Sequence, residues 1–267
     1  MRREPVLPQG TTEGVAVDAI EALAIGGASI AAGGINAMVG SGTLITFPTL
    51  LAFGYPSVLA NVSNNIGLVP GSLSAAYGYR RELKGQRKRV LLFGSGSLVG
   101  GIIGAVLLLQ LPTSTFDAVV PVLILLACVL VLLQPQLNKR LARRADQGAK
   151  DGGVPMWLGV CGAGVYGGYF GAAQGVLLMG LFGSFLKEDL QRLNAVKNVL
   201  ASIVNGVAAL VFVAVADVDW TVAGVIALGS TAGGLLGARV GRRLPPTVLR
   251  GIIVVVGVTA SIVLLVR

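Results

Sequence analysis

Histidine is absent from this sequence of 267 residues, and cysteine is scarce, with Cys128 and Cys161 as its two examples. Both cysteines lie inside apolar segments, so the sequence has neither a disulfide framework nor the ligand spacing of a metal site. Each is expected to pack as a small hydrophobic residue. No metal site and no cofactor are predicted.

Acidic residues are also few, with 12 against 21 basic ones. Those close to apolar segments stand near the predicted segment ends: Asp18, Glu21, Asp117, Asp217 and Asp219. A proton relay of buried carboxylates therefore has little support. An enzyme would need a nucleophile, a base or a metal set, and because such groups are scarce the chain is not predicted to be an enzyme.

The chain is rich in long apolar runs: 54% of its residues are hydrophobic, 12% are charged, and its mean hydropathy is +0.80. A bilayer core of about 30 Å takes about 20 apolar residues per helix, so we predict an all-α, polytopic integral membrane protein. Candidate spans lie at residues 20–39, 59–79, 90–111, 116–133, 157–171, 193–216, 220–238 and 251–266. Two further runs, 44–53 and 176–186, are too short for ordinary spans and are typical of broken or re-entrant helices.

Basic residues cluster between the apolar segments, at 80–89, 139–144 and 239–243. The positive-inside rule explains such clusters, so we expect them to face the cytoplasm and anionic lipid headgroups, with no nucleic acid partner. Acidic residues such as Glu13 stand ahead of the first apolar run, so no cleaved signal peptide is expected. The predicted location is the plasma or inner membrane of the cell.

The sequence matches itself without gaps at an offset of 133 residues. Residues that recur are Gly26, Gly34, Gly42, Leu44, Asn61, Asn65, Ala75, Ala76, Gly96, Ser97, Gly100, Gly101, Gly104, Ala105, Leu111 and Pro112, which pair with Gly159, Gly167, Gly175, Leu177, Asn194, Asn198, Ala208, Ala209, Gly229, Ser230, Gly233, Gly234, Gly237, Ala238, Leu244 and Pro245. Because the asparagine and proline matches involve residues that are less common in this composition, and because the match has no gaps, we predict two repeats of one unit.

Charge predicts how the two repeats are related. The basic loop 80–89 corresponds to the acidic stretch 213–221, and basic 239–246 corresponds to uncharged 106–113. Equivalent loops then lie on opposite sides of the membrane, which predicts two inverted-topology repeats of about five helices each, including the short broken ones. The alternative is eight helices without inversion. The predicted divisions are an N-terminal segment 1–19, a transmembrane repeat 20–134, a cytoplasmic basic linker 135–153 and a second transmembrane repeat 154–267.

Glycines form two different patterns. The spacing Gly96–Gly100–Gly104 and its copy Gly229–Gly233–Gly237 put small residues on one helical face, which lets two helices approach closely. A nucleotide-binding loop is the alternative, but Val99 stands where a third glycine is needed and no strand precedes it.

The second glycine pattern, Gly40–Ser41–Gly42–Thr43 with its equivalent Ala173–Gln174–Gly175–Val176, lies between a long and a short apolar run. Such positions permit a helix break, and a half-helix N-terminus inside a membrane is an anion site. The alternative is a kink that serves packing alone.

A polar stripe runs along one helical face in each half, with Asn61, Asn64, Asn65 and Ser72 in the first and Asn194, Lys197, Asn198 and Asn205 in the second. In the second half these positions are i, i+3, i+4 and i+11, and inside a membrane such groups face a cavity or a partner helix. Lys197 among amide donors favours an anionic ligand. Alternatively, Lys197 snorkels to the headgroups and the asparagines clip helices together.

These segments resemble a known family. GGINAMVGSGTLITFPTLL (33–51), ANVSNNIGLVPGSLSAAYGYRREL (60–83) and LNAVKNVLASIVNGVAALVF (193–212) are similar to the TauE/SafE sulfite exporters, also called TSUP transporters. The resemblance extends from about residue 20 to the end of the chain. It implies a transporter for sulfite, organosulfonates or related sulfur or carboxylate anions.

Residues and resemblance together predict a secondary transporter that exports a small anion by alternating access. Lys197 is expected to offset the anion's charge, the asparagines to donate hydrogen bonds, and Gly42 and Gly175 to expose helix-end amides. The predicted substrate-binding residues are Ser41, Gly42, Thr43, Asn61, Asn64, Asn65, Gln174, Gly175, Asn194, Lys197, Asn198 and Asn205. An anion channel, a membrane scaffold and, with least support, a membrane-embedded enzyme are the alternatives. The expected partners are the anionic substrate and the bilayer, and homo-oligomerisation stays open.

Overall fold

The computed structural model describes residues 18–144, 153–186, 188–240, 251, 254–259 and 261–262. Every regular element in these residues is an α-helix. The helices are α1 (Ala19–Met38), α2 (Thr43–Ala52), α3 (Ser57–Gly78), α4 (Arg87–Gln110), α5 (Thr113–Arg144), α6 (Gly153–Tyr169), α7 (Gln174–Phe185), α8 (Leu190–Val215) and α9 (Trp220–Val240). Residues 254–259 are again helical and lie in the last predicted span.

The lengths and compositions of these helices suit a membrane. Among the described residues, α1, α4, α5, α8 and α9 contain stretches long and apolar enough to cross a bilayer. The shorter α2 has 10 residues, about 15 Å of helix, which is half of a bilayer core. The predicted all-α, polytopic fold is confirmed.

Local sequence signals account for several helix ends. The Asp18 carboxylate caps α1 by accepting a hydrogen bond from the Ala19 amide, and the Asp189 carboxylate accepts from the Gln191 and Arg192 amides at the start of α8. Such caps satisfy amides that have no partner inside the helix. Pro56 stands immediately before α3, where its fixed φ suits the entry to a helix.

The helices repeat at the spacing that the sequence predicts. The pair α3 and α8 begins at Ser57 and Leu190, and the pair α4 and α9 at Arg87 and Trp220, an offset of 133 residues in both cases. Each long helix of one half packs most extensively against the other half, α1 against α9 and α6 against α4. The two halves therefore interlock.

Glycine contacts give the directions of the packed helices. Gly26 of α1 faces Val225 of α9, and Gly34 faces Gly233. Residue numbers rise together along the two helices, so α1 and α9 are parallel. By the same reasoning α3 is parallel to α9, because Gly67 faces Ile226 and Gly78 faces Ala238 of α9.

Glycine contacts and short connections give the directions of the remaining helices. Gly96 of α4 faces Trp157 of α6 and Gly104 faces Val165, so α4 and α6 are parallel. Residues 79–86 connect α3 to α4 and can reach at most about 28 Å, less than the length of α4, about 36 Å, so α3 and α4 are antiparallel. The shorter connection 216–219 makes α8 and α9 antiparallel too. Equivalent helices therefore run in opposite directions, as inverted repeats require.

The two ends of this bundle differ in charge. Helices α1, α3, α5 and α9 begin at the first end, where carboxylates cluster. Ser57 donates a hydrogen bond to Asp117 there. Burial raises the pKa of Tyr55, and the carboxylates of Glu21 and Asp219 raise it further. We call this first end the acidic end.

The opposite end, where α4 and α8 begin, carries the basic loop 80–89. There Glu188 forms ion pairs with Arg89 at 3.1 Å and Arg192 at 2.8 Å. We call it the basic end, and by the positive-inside rule we expect it to face the cytoplasm.

Helix α5 continues through Arg144, into the stretch predicted as a linker. The middle of that stretch, 145–152, lies outside the described residues, as do the N-terminal residues 1–17 and the repeat matches Leu244 and Pro245. The division of the chain at 135–153 stays a prediction.

Candidate functional site

The two predicted helix breaks exist, and they touch each other. Helix α1 ends at Met38 and α2 begins at Thr43, while α6 ends at Tyr169 and α7 begins at Gln174. The chain turns with Gly40 at φ +86° and with Ala173, its equivalent in the second half, at φ +59°. A left-handed conformation is easy for glycine and strained for alanine.

Two glycines hold the breaks together. The Gly175 amide donates a hydrogen bond of 3.1 Å to the Gly40 carbonyl. A Cβ on Gly40 would stand 2.4 Å from the Gly175 Cα, so no side chain fits between them. Gly175 was expected to expose its amide to an anion, but here that amide bonds to the other break.

The residues that start the short helices are buried at the same junction. Gly42 packs against α1, where its Cβ would meet the Ala32 carbonyl at 2.5 Å, and Thr43 is 7% exposed. Ser41 and Gln174 occupy equivalent positions in the two halves and are both buried. Neither the Ser41 hydroxyl nor the Gln174 amide nitrogen has a hydrogen-bond partner among the described residues.

Three side chains of α8 converge on the carboxyl end of α1. The Lys197 ammonium donates to the carbonyls of Asn36 at 3.1 Å and Ala37 at 3.2 Å. The side-chain amides of Asn194 and Asn198 donate to the same Ala37 carbonyl, at 3.2 and 3.1 Å. Carbonyls at a helix end lack partners inside the helix, so α8 caps α1 in tertiary structure.

Lys197 is fully enclosed, with an exposed fraction of 0%. Among the residues that the structure describes, no carboxylate forms an ion pair with it. Its Cδ would lie 3.0 Å from a Cβ on Gly175, so its stem follows the junction of the breaks. An ammonium buried in this way does not snorkel to the headgroups. Asn194 and Asn198, in contrast, do join two helices, as the alternative interpretation of the polar stripe expects.

The first half carries the equivalent face on α3. The Asn61 side-chain amide donates to the Tyr169 carbonyl at 3.0 Å, at the carboxyl end of α6. Asn64 stands where the second half has Lys197. Further along the stripe, Ser72 accepts hydrogen bonds from Asn205 at 3.0 Å and Asn36 at 3.3 Å. All the predicted site residues thus lie on the two breaks and the two polar faces beside them.

Several buried polar atoms of this region have no hydrogen-bond partner among the described residues. They are Ser41 Oγ, Asn61 Oδ1, Asn64 Oδ1, Asn65 Oδ1, Gln174 Nε2 and Asn194 Oδ1. Buried polar groups are nearly always paired with protein, water or a ligand. Those on the breaks and polar faces are therefore candidate partners for water or a ligand.

Sequence reasoning missed the aromatic side chains near the end of α6. The Phe170 ring lies 5.3 Å from Phe47, and the Tyr169 ring lies 5.6 Å from Phe116. Phe116 belongs to the first turn of α5, so this aromatic cluster lies toward the acidic end. The signal was visible only as an adjacent pair, Tyr169–Phe170, since Phe47 and Phe116 are distant in sequence.

A cavity of about 70 Å³ lies on the other side of the site, toward the basic end. Its lining residues are Met38, Tyr79, Gln134, Met179, Leu190, Gln191 and Asn194. Because Asn194 also bonds to the end of α1, the cavity reaches the candidate site. Within the described residues, no three His, Cys, Asp or Glu side chains are grouped to hold a metal.

Comparison with known proteins agrees with the all-helical membrane fold. Residues 25–264 match the family described as Sulfite exporter TauE/SafE. The chain is 28% identical over 240 residues to the probable membrane transporter protein YfcA of Escherichia coli K12, covering 88% of this chain and 86% of that one. Probable membrane transporter proteins of Haemophilus influenzae and of Sinorhizobium (ORF9) are 25% identical over 224 residues and 26% over 239, covering 83% and 89% of this chain and 85% and 90% of theirs. No solved structure matches the chain.

Proposed function

Because the chain belongs to the TauE/SafE sulfite exporter family and is a multi-pass membrane transporter, we propose that it exports a small oxyanion across the cell membrane by alternating access. The substrate class is sulfite, an organosulfonate, or a related sulfur or carboxylate anion. We place the anion at the junction of the two helix breaks, beside Lys197. The protein acts as a secondary transporter in this proposal and performs no chemistry on its substrate.

The buried charge of Lys197 is the observation that carries the proposal. An ammonium with an exposed fraction of 0% and no described carboxylate partner is costly to bury. The carbonyls of Asn36 and Ala37 accept its hydrogen bonds but leave its net charge in place. An anion bound beside it supplies the missing charge, which favours an anionic substrate over a neutral one.

Hydrogen-bond donors around Lys197 suit an oxyanion as well. Gln174 Nε2 and Ser41 Oγ are buried without partners at the start of the two short helices. Both can donate to anionic oxygens, and the positive end of a short helix adds to the attraction. The asparagines of α8 hold α1 and so position the lysine.

The difference between the two ends supports alternating access. The cavity at the basic end reaches Asn194, whereas Phe47, Phe116, Tyr169 and Phe170 pack together at the acidic end. In this proposal, the cavity belongs to the route by which the anion enters from the cytoplasm. Large packed rings toward one end and a cavity toward the other favour a carrier over a continuously open channel.

Export needs no proton relay in this account. Moving an anion out of a cell with a negative interior is favoured by about 2.3 kcal/mol per charge per 100 mV. This agrees with the carboxylates lying near the helix ends: Asp18, Glu21, Asp117, Asp217 and Asp219.

Sulfite binding to the purified protein tests the site. We expect the wild type to bind sulfite saturably, and Lys197→Met to bind it at least tenfold more weakly, because methionine keeps much of the length and removes the charge. Isothermal titration calorimetry gives both affinities. Lys197→Met also removes two hydrogen bonds to α1, so its helical content and thermal unfolding are measured alongside.

Two variants complete the comparison. Lys197→Arg keeps the charge and should retain more affinity than Lys197→Met, while Gly206→Ala on the same helix meets nothing within 4 Å and should bind as the wild type does. A folded Lys197→Met protein with undiminished sulfite affinity would contradict the assigned site.

A further inference from the structure

The pseudo-symmetry of the molecule is broken at one functional position. Lys197 of α8 places its ammonium on the carbonyls of Asn36 and Ala37, at the carboxyl end of α1. The offset of 133 maps Lys197 onto Asn64 of α3 and maps the two carbonyls onto those of Tyr169 and Phe170, at the carboxyl end of α6. The end of α6 therefore faces α3 without a lysine that caps it, unlike the end of α1.

The polar face opposite the end of α6 is rich in oxygen acceptors. Asn61 donates its amide hydrogen to the Tyr169 carbonyl at 3.0 Å, which leaves its Oδ1 as the unpaired atom. Asn64 Oδ1 and Asn65 Oδ1 are likewise without a partner among the described residues. The three side chains are 2%, 1% and 7% exposed, and their spacing of i, i+3 and i+4 puts them on one face of α3.

We propose that a monovalent alkali cation, Na⁺, binds at this face, where it takes the place that the Lys197 ammonium holds in the other half. The ligands come from the side-chain oxygens of Asn61, Asn64 and Asn65 and from the carboxyl end of α6. The site is separate from the anion site beside Lys197.

The chemistry of the ligands selects the ion. Amide and backbone carbonyl oxygens are hard ligands that suit hard cations such as alkali ions, and the carboxyl end of a helix carries partial negative charge. Broken helices in membranes use such ends and unwound carbonyls to coordinate Na⁺. The proposed ligands include no carboxylate, which favours a single positive charge over a divalent ion.

The position of the site favours entry from the acidic end. Asn61 lies in the second turn of α3, which begins at that end. The Asp219 backbone amide donates to the Ser63 hydroxyl at 3.0 Å, so an acidic connection lies against the same part of α3. Carboxylates around an entrance raise the local concentration of cations.

Binding of Na⁺ here has a consequence for transport that rests on the proposed function. A cation at the end of α6 stabilises the break between α6 and α7, as Lys197 stabilises the one between α1 and α2. Because Gly175 of the second break bonds to Gly40 of the first, both sites act on one junction. Na⁺ is then a ligand whose occupancy is coupled to the anion site.

Thermal unfolding of the purified full-length protein tests the site without any transport assay. We expect NaCl to raise the unfolding midpoint saturably above that in choline chloride of equal ionic strength, because a ligand that binds the folded state stabilises it. Asn64→Leu should lose this response. Asn64→Lys, which attaches an ammonium at the equivalent position, should be stable in choline and gain nothing from Na⁺.

Asn64→Asp provides a variant of nearly unchanged shape that keeps the test decisive if Asn64→Leu does not fold. It should bind ²²Na⁺ more tightly than the wild type by about tenfold or more. Gly206→Ala serves as the matched control, because its Cβ meets nothing within 4 Å and it should keep the Na⁺ response of the wild type. Equal midpoints of the wild type in NaCl and choline chloride, or unchanged ²²Na⁺ affinity in Asn64→Asp, would overturn the inference.

Discussion

Lys197 carries the positive charge of the candidate site and contacts both helix breaks. Its ammonium bonds to the last carbonyls of α1, and its stem follows Gly175 at the start of α7. An anion bound where we propose would act on a side chain that already holds one break in place. This linkage explains how occupancy at one residue can bias the arrangement of two helices.

Gly40 provides the sharpest stability prediction at a single residue. We expect Gly40→Ala to destabilise the protein for two reasons: its φ is +86°, and a Cβ would stand 2.4 Å from the Gly175 Cα. Thermal unfolding in detergent measures the effect. Gly54→Ala is the matched control, since Gly54 has φ +89° and nothing within 4 Å of a Cβ.

The control separates strain from crowding. Gly54→Ala should cost about 1 kcal/mol from backbone strain alone, and Gly40→Ala should cost about 1–3 kcal/mol more because the junction cannot accommodate a methyl group. Equal destabilisation of the two variants would mean that the breaks do not pack together as described.

Single residues show how much of the candidate site the sequence predicts. The spacing of Asn194, Lys197 and Asn198 predicts a shared helical face, but their common partner, the Ala37 carbonyl, is 160 residues away from Lys197 and leaves no pattern in the sequence. Ala173 was grouped with a break, yet its left-handed conformation is imposed by tertiary packing against the propensity of alanine.

At the scale of helices, small residues determine which elements pair. A Cβ on Gly100 would stand 2.1 Å from the Cys161 carbonyl of α6, and one on Gly233 would stand 2.0 Å from the Ile30 carbonyl of α1. The glycine spacing thus predicts close packing correctly. It does not identify the partner, because a glycine face fits any helix that can approach it.

Helix boundaries were predictable where composition changes sharply. The short run 44–53 corresponds to α2 at Thr43–Ala52, and a glycine stands on each side of it. In contrast, α6 begins at Gly153 and α5 ends at Arg144, because helices continue beyond the apolar core into the headgroup region where hydropathy gives no signal.

The opposed directions of equivalent helices have a direct topological test. A reporter fused after Lys84, at the end of the α3 connection, should lie in the cytoplasm, and one fused after Val215, at the end of α8, should lie outside. Alkaline phosphatase is active outside and green fluorescent protein is fluorescent inside, so the pair reports each side. A third fusion after Gln110, at the end of α4, should behave as the one after Val215.

Finding the reporters after Lys84 and Val215 on the same side of the membrane would contradict the inverted arrangement. It would instead favour a count of helices in which α2 and α7 do not return the chain across the bilayer.

At the scale of the whole molecule, equivalent positions of the two halves carry different side chains around the helix breaks. The aromatic cluster of Phe47, Tyr169 and Phe170 near the end of α6 has Gly180, Asn36 and Ala37 as its equivalents near the end of α1. Large rings therefore pack toward one end of the bundle, while a cavity lined by Met38 and Met179 lies toward the other. Exchange of these roles between the halves is the motion that the proposed transport cycle requires.

Sulfite flux through the purified protein in liposomes tests the central claim most directly. We expect saturable efflux from proteoliposomes that is accelerated by an interior-negative potential, slowed by competing oxyanions and reduced at least tenfold in Lys197→Met, with Gly206→Ala matching the wild type. Sulfite efflux no faster than from protein-free liposomes, or the same efflux in wild type and Lys197→Met, would contradict the account.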